Sequence, residues 1–285
     1  MLNAGRSIGP MTDAEVATII DWATGEGWNP GRHDAAVAHA YDPDAFIALR
    51  IDDEFVGGGS IISYRVAYGF MGLFIVRPDL RHAGLGRELW TYRRDHLLAR
   101  LAPGAVIGMD GVFDLEPFYE RGGFRRAHRD LRFEGIAHGA DESDAVDLRS
   151  VPREERLRHD RAHAAAPRDG FIDAWTTAPG VIALGIVEDE RLVAAGALRP
   201  AHVGWKVGPL TADRPDLARR LTNALLARID GDQVQLDVPE PNADGLALAA
   251  EFGLTESFGC ARMYLGPAPD LPLDRIYGIT SFEFG

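Results

Sequence analysis

Apolar and polar positions along the chain set out one order of elements and then repeat it. Thr12 and Glu15 have capping-box spacing and open a predicted helix over 12–23. The glycine-rich stretch 25–31 reads as a turn, and a short helix is expected over 34–40. Apolar runs predict strands at 45–51, 55–66 (after an Asp52-Asp53 turn) and 67–76, the last stopped by Pro78. A loop over 79–86 leads into a helix reaching about residue 101, with Trp90, Leu97 and Leu101 on one face. A strand at 105–109, a short helix at 115–121 and a strand at 124–133 complete this first series.

The polar, acidic segment 136–144, with Gly139 inside it, reads as a linker, placed at 137–144 between units 1–136 and 145–285. Beyond it a strand is expected at 145–151 and a charged helix at 152–166, Pro152 suiting the first turn. Strands follow at 181–187, 191–199 and 203–210. Then come a helix at 215–229 with Leu217, Leu221 and Leu225 in line, a strand at 233–238, a helix at 243–252 and a strand at 260–265. The tail 272–285 looks strand-like and is expected to dock on a domain, at a place the sequence does not give.

The repetition extends to letters. Ile47-Ala48-Leu49 corresponds to Ile182-Ala183-Leu184, Gly69-Phe70 to Gly204-Trp205, and Arg77-Pro78-Asp79-Leu80 to Arg214-Pro215-Asp216-Leu217. Leu97-Leu98-Ala99-Arg100 corresponds to Leu225-Leu226-Ala227-Arg228, and Gly123-Phe124 to Gly253-Leu254. Five matches in one order, inside matching elements, argue for a duplicated domain rather than a solenoid.

Composition narrows the picture. Of 285 residues, 46% are hydrophobic and 26% charged, the balance of a globular protein with a core. The formal net charge of -13 disfavours nucleic acid, which needs basic patches, and suits cationic partners such as amines. The single cysteine, Cys260, forms no intrachain disulfide and reads as a small core residue. No signal-peptide pattern or membrane-span pattern is apparent, so a cytoplasmic protein without membrane contact is expected, as a monomer or homodimer. His159 and His163 stand four apart on a predicted helix but lack the glutamate of a zinc-protease motif, so no metal is expected. The run 153–156 is a solvated helix face, and Trp22, Trp28, Trp175 and Trp205 read as core before they read as pocket walls.

The informative segment is Val76-Arg77-Pro78-Asp79-Leu80-Arg81-His82-Ala83-Gly84-Leu85-Gly86. An apolar strand enters a loop with glycines two apart, which opens an amphipathic helix. Free N–H groups and the helix dipole make such a start an anion site, and glycine lets a phosphate come close. Arg81 and Arg87 add positive charge. The third glycine of a dinucleotide fold and the Gly-Lys-Ser/Thr of a Walker loop are both missing.

This segment resembles the acetyl-CoA motif of the GNAT superfamily, Val-x-Pro-x-x-(Arg/Gln)-x-x-Gly-x-(Gly/Ala), filled here by Val76, Pro78, Arg81, Gly84 and Gly86. A second hallmark, Tyr-Glu-Lys-x-Gly-Phe, is similar to Tyr119-Glu120-Arg121-Gly122-Gly123-Phe124. The whole chain resembles bacterial proteins with a GNAT domain followed by a diverged one. The resemblance implies an α/β (mixed α+β) fold of two GNAT-like domains, each a largely antiparallel central sheet flanked by helices. It further implies an acetyl-CoA-dependent N-acetyltransferase, with direct attack by a primary amine, small or peptidic, in a ternary complex. The pyrophosphate is then expected on the backbone of Arg81, His82, Ala83, Gly84, Leu85, Gly86 and Arg87. The pantetheine arm is expected beside Phe74, Ile75 and Val76, with a backbone N–H near Phe74 polarising the thioester carbonyl. Tyr119 takes the role of general acid toward the thiolate.

Three departures stand out. The strand 67–76 lacks the glutamate many relatives use as base; Asp110 is the nearest substitute, with Tyr68 and Glu116 as others. Val112 replaces an asparagine that usually contacts the cofactor. The second unit lacks the glycine loop and has Ala249 at the tyrosine position, although Asn242 keeps the asparagine. Acetyl transfer is therefore expected in the first unit only. The alternative reading is a non-catalytic acyl-CoA-binding sensor or assembly module, and a longer acyl group than acetyl stays open.

Overall fold

The computed structural model describes residues 5–140 and 144–285; residues 141–143 of the expected linker lie outside the described residues. The first half runs β1 (Arg6–Pro10), α1 (Asp13–Gly25), α2 (Asp34–Tyr41), β2 (Phe46–Ile51), β3 (Glu54–Tyr64), β4 (Tyr68–Val76), α3 (Leu85–Arg100), β5 (Val106–Val112), α4 (Glu116–Arg121) and β6 (Arg125–Ile136). The second runs β7 (Val146–Asp147), α5 (Arg153–His163), α6 (Asp169–Thr177), β8 (Ile182–Glu188), β9 (Arg191–Pro200), β10 (Trp205–Ala212), α7 (Pro215–Leu226), β11 (Gln233–Pro239), α8 (Ala243–Glu251), β12 (Thr255–Leu265) and β13 (Ile276–Gly278).

Local chemistry explains the starts and turns. The Thr12–Glu15 capping box is formed in both directions at the head of α1. Asp52 and Asp53 both take positive φ in the β2–β3 turn, and Asp189 and Glu190 do the same between β8 and β9. The duplication thus reaches single turn residues.

Several elements differ from the sequence reading. The expected strand 145–151 is only the two-residue β7, followed by a 3-10 turn at Leu148–Ser150. The helix expected over 152–166 ends at His163, and a separate helix, α6, follows it. Strand β12 begins five residues earlier than expected, and Ile136 belongs to β6 rather than to a linker. Strand β1 was not anticipated, its five residues carrying only Ile8 as a strongly apolar side chain.

The strands join in one sheet with the order β1-β2-β3-β4-β5-β12-β6-β11-β10-β9-β8-β7, β13 pairing with β10. It is largely antiparallel, with two parallel pairs, β4–β5 and β10–β11. The order is palindromic about the β12–β6 pair, which relates the two halves. Each half gives its last long strand to the other: β12 lies against β5, and β6 lies against β11. The cores are shared accordingly. Ala261 and Met263 of β12 pack with Leu89, Trp90 and Met109 of the first half. Phe171 and Trp175 of α6 pack with Phe46 and Tyr64 on the other face.

Candidate functional site

Strand β4 pairs with β5 only from Tyr68 to Met71; beyond that point the two strands part. On its other side β4 carries a bulge: Leu73 and Phe74 stand between the pairs Ser60↔Gly72 and Gly58↔Ile75, and Leu73 has φ of 50°. The bulge turns the edge of β4 outward where it faces the gap. At its far end the chain enters the glycine loop. Gly84 caps α3 at φ of 82°, a conformation side chains disfavour. Gly86, in the first turn of α3, faces Phe74 and Val76 at ordinary van der Waals distance. Arg81 Nε donates to the Val76 carbonyl at 2.9 Å, and its guanidinium also pairs with Glu26. Residues His82 to Gly84 and Arg87 are exposed, and Arg87 forms no ion pair among the described residues.

The gap opens into a cavity lined by Leu73, Phe74, Trp90, Arg93, Met109, Val112 and Tyr119 from the first half and by Phe258, Cys260, Phe282 and Glu283 from the second. Tyr119 is 3% exposed, and its ring packs over Gly111 and beside Trp90 and Phe118. Burial raises its pKa above the usual tyrosine value, and the nearby Arg93 charge works against that rise. The phenol is therefore protonated at neutral pH. Arg93 is wholly buried on the apolar face of α3. Its Nη2 donates to the Ser60 and Gly72 carbonyls at 2.5 and 2.6 Å, which pins the bulge. Burial lowers its pKa to about 9.

The corresponding gap in the second half is closed. There β13 pairs antiparallel with β10 at Leu210 and Thr211, beyond the end of the β10–β11 pairing. Asn242 caps α8 through Gly245 N–H and donates from Nδ2 to the Ile276 carbonyl of β13 at 2.9 Å. The asparagine that the resemblance links to a cofactor contact here holds the chain's own strand.

The structure gathers most of the expected residues. Phe74, Ile75 and Val76 edge the gap, Arg81 to Arg87 close its outer end, and Tyr119 stands at its inner end. Asp110 lines the cavity too, but not on the side of β5 that Tyr119 covers. Strand alternation sends its side chain away from Tyr119, and both oxygens accept from Arg262 at 2.6 and 2.7 Å. Arg262 also lies 3.2 Å from Asp130; burial, against the pull of Arg262 and with the Asp130 charge adding to it, pushes the Asp110 carboxyl well above the usual range. Tyr68 is buried on that same opposite face, and Glu116 pairs with Arg126 at 3.3 Å. His159 is tied at both nitrogens, to Leu192 O at 3.1 Å and Thr211 Oγ1 at 2.8 Å. Burial drops its pKa to about 3. Of the tryptophans weighed as pocket walls, Trp28 lines the cavity, Trp175 is core and Trp22 stacks on Phe55. Trp205 is half-buried and donates from Nε1 to Asp232. Sequence reading missed Arg93 and Glu283. Each left a signal: an arginine in line with Leu85, Leu89 and Leu97, and a lone acid between Phe282 and Phe284.

Comparison with known proteins agrees with this geometry. A family described as an acetyltransferase (GNAT) domain matches residues 23–140, and a second family of the same description matches residues 157–278. The holothin acyltransferase of Pseudoalteromonas sp. (strain SANK 73390) is 26% identical over 279 residues, spanning 97% of this chain and 93% of that one. A candidate acetyltransferase from Pyrococcus horikoshii superposes over 100% of this chain and 98% of its own, with a TM-score of 0.84 and 21% identity. A tandem GNAT protein from the clavulanic acid biosynthesis pathway covers 92% of this chain and 99% of its own, with a TM-score of 0.63 and 17% identity. The two structures speak to fold alone. Taken with the two domain matches and the named relative, the open gap beside β4 and its glycine loop lead to one conclusion: this chain is an acyltransferase of the GNAT superfamily, built from two GNAT domains in tandem.

Proposed function

We propose that the protein transfers acetyl from acetyl-CoA to a primary amine, by direct attack within a ternary complex, and that residues 1–136 hold the co-substrate while residues 145–285 complete the pocket. One contrast carries this reading: the gap beside the fourth strand is open in the first half and filled by β13 in the second. The exposed loop from His82 to Gly84 and the start of α3 behind it, with Arg81 and Arg87, suit a pyrophosphate. The free edge of Phe74, Ile75 and Val76 suits an extended pantetheine arm, and the bulge supplies a donor for the thioester carbonyl. Tyr119, protonated and at the inner end, suits protonation of the departing thiolate. Asp110 serves through Arg262, which ties β5, β12 and β6 together beneath the pocket. No helix among the described residues is long and apolar enough to cross a membrane, in keeping with a cytoplasmic site of action.

Calorimetry of acetyl-CoA against wild type and Gly84→Trp tests the assignment. The variant puts a bulky side chain at a positive-φ position over the loop amides, and affinity is expected to fall roughly tenfold or more. Unchanged affinity would falsify the loop's role. Holothin is the first acceptor to try in a free-thiol assay, because the relative spanning 97% of this chain is named for it.

A further inference from the structure

Glu283 is 2% exposed, and neither of its carboxylate oxygens has a hydrogen-bond partner. A buried carboxylate without donors is costly, so its place calls for a reason. The tail that carries it is otherwise well tied. Ile279 N–H donates to Asp237 O, Arg199 donates to Thr280 O, and Ser281 Oγ accepts from the N–H groups of Glu283 and Phe284. Tyr64 donates to Phe284 O at 2.7 Å. The Glu283 carbonyl lies so close over Gly72 that a Cβ there would collide with it. The backbone is thus held against the β4 bulge, and the side chain alone is left unmatched.

Glu283 lines the same cavity as Tyr119 and Phe74. Arg132 and Lys206 are the buried cations near it; both feel its charge, neither hydrogen-bonds it, and Lys206 Nζ has no hydrogen-bond partner at all. Arg132 donates to Asp237 at 2.7 and 3.0 Å and to Trp28 O at 2.8 Å, while Lys206 Nζ stands 3.6 Å from Asp237. Asp110 lines the cavity with both oxygens taken by Arg262, and Arg93 gives Nη2 to two carbonyls beside Tyr119 while its Nε and Nη1 make no hydrogen bond. Around the carboxylate the walls are aromatic: Trp28, Phe74, Phe258 and Phe282. An anion within aromatic walls suits an ammonium group with an apolar neighbour.

Resting on the acetyl-transfer reading of this cavity, we propose that Glu283, delivered by the C-terminal tail, is the anion that receives the acceptor's protonated primary amine, and that the acceptor carries a compact apolar group beside it. The ammonium gives one proton to Glu283, directly or through water. The freed nitrogen lone pair forms the C–N bond at the thioester carbonyl carbon. Collapse breaks the C–S bond, Tyr119 protonates the sulfur, and the nitrogen's second proton restores Tyr119. Glu283 releases its proton to solvent, so an ammonium and a thioester become an amide, a thiol and one proton.

Benzylamine, an ammonium near neutral pH, and benzyl alcohol, its neutral counterpart, are the probes. Each is titrated into wild type, Glu283→Gln and Asp110→Asn in the presence of coenzyme A. Wild type is expected to favour benzylamine by roughly tenfold or more. Glu283→Gln should erase that preference while binding acetyl-CoA as wild type does, and Asp110→Asn should keep it. No preference in wild type, or a preference that survives Glu283→Gln, overturns the proposal. If Glu283→Gln does not fold, the Lys206→Met/Glu283→Gln pair, which removes both charges, is compared with Lys206→Met. Loss of the preference supports the assignment, and its retention overturns it. Failure of wild type to bind acetyl-CoA would strike the acetyl-transfer reading instead, since the ammonium preference is read separately.

Discussion

Tyr119 has few degrees of freedom left. Its ring is packed over Gly111 and against two aromatic neighbours, and its phenol is held protonated by burial, which the Arg93 charge only partly opposes. Tyr119→Phe preserves the packing and removes only the proton. It is expected to lower kcat by roughly a hundredfold or more while leaving acetyl-CoA affinity in calorimetry unchanged. Equal turnover in the variant would make Tyr119 a packing residue. Tyr119 and the glycine loop were legible as letters, because local backbone chemistry demands those residue types at that spacing. Arg93 and Glu283 were not assigned, since what each faces is set by strands distant in the chain: β3 and β4 for one, β4 and β11 for the other.

At the scale of elements, the two halves differ by what lies beside their fourth strands. Strand β13 completes the sheet at Leu210 and Thr211, where the first half leaves backbone groups free. Asn242 secures this closure with two hydrogen bonds, one capping α8 and one holding Ile276. Asn242→Ala is expected to destabilise the protein by about 1–2 kcal/mol in denaturant unfolding, mainly through the lost cap. Acetyl-CoA affinity should stay at the wild-type value. A loss of affinity without loss of stability would place the co-substrate in the second half. The helix and strand order was readable from periodicity because each element buries one face. The break between α5 and α6 was missed although Pro167 signals it: proline disfavours helical backbone at Ala166 and lacks an N–H to continue the helix, and beyond it Arg168 reaches Asp160 and Gly285.

For the molecule as a whole, strand exchange makes the halves one cooperative unit. Separating them would strip β5 and β11 of their antiparallel partners, expose long strand edges and leave Arg262 without Asp110. A single calorimetric transition is expected for the full chain. Residues 1–140 expressed alone should aggregate or melt without cooperativity, and coexpression with residues 144–285 should restore a soluble pair. Two separate transitions, or a stable isolated first half, would show that the exchange contributes little.

The sequence by itself determined what depends on near neighbours: the duplicated order of elements, the capping box of α1, the paired positive-φ turns, and the loop whose glycines let an anion approach. These are short-range consequences of backbone geometry and apolar periodicity. The tertiary structure alone decided which half's last strand lies beside which fifth strand, that β13 closes one gap and not the other, and that the cavity Tyr119 lines takes an acid from the far end of the chain. Those outcomes depend on pairings between segments far apart in the chain, and period-two alternation names a strand's faces without naming its neighbours.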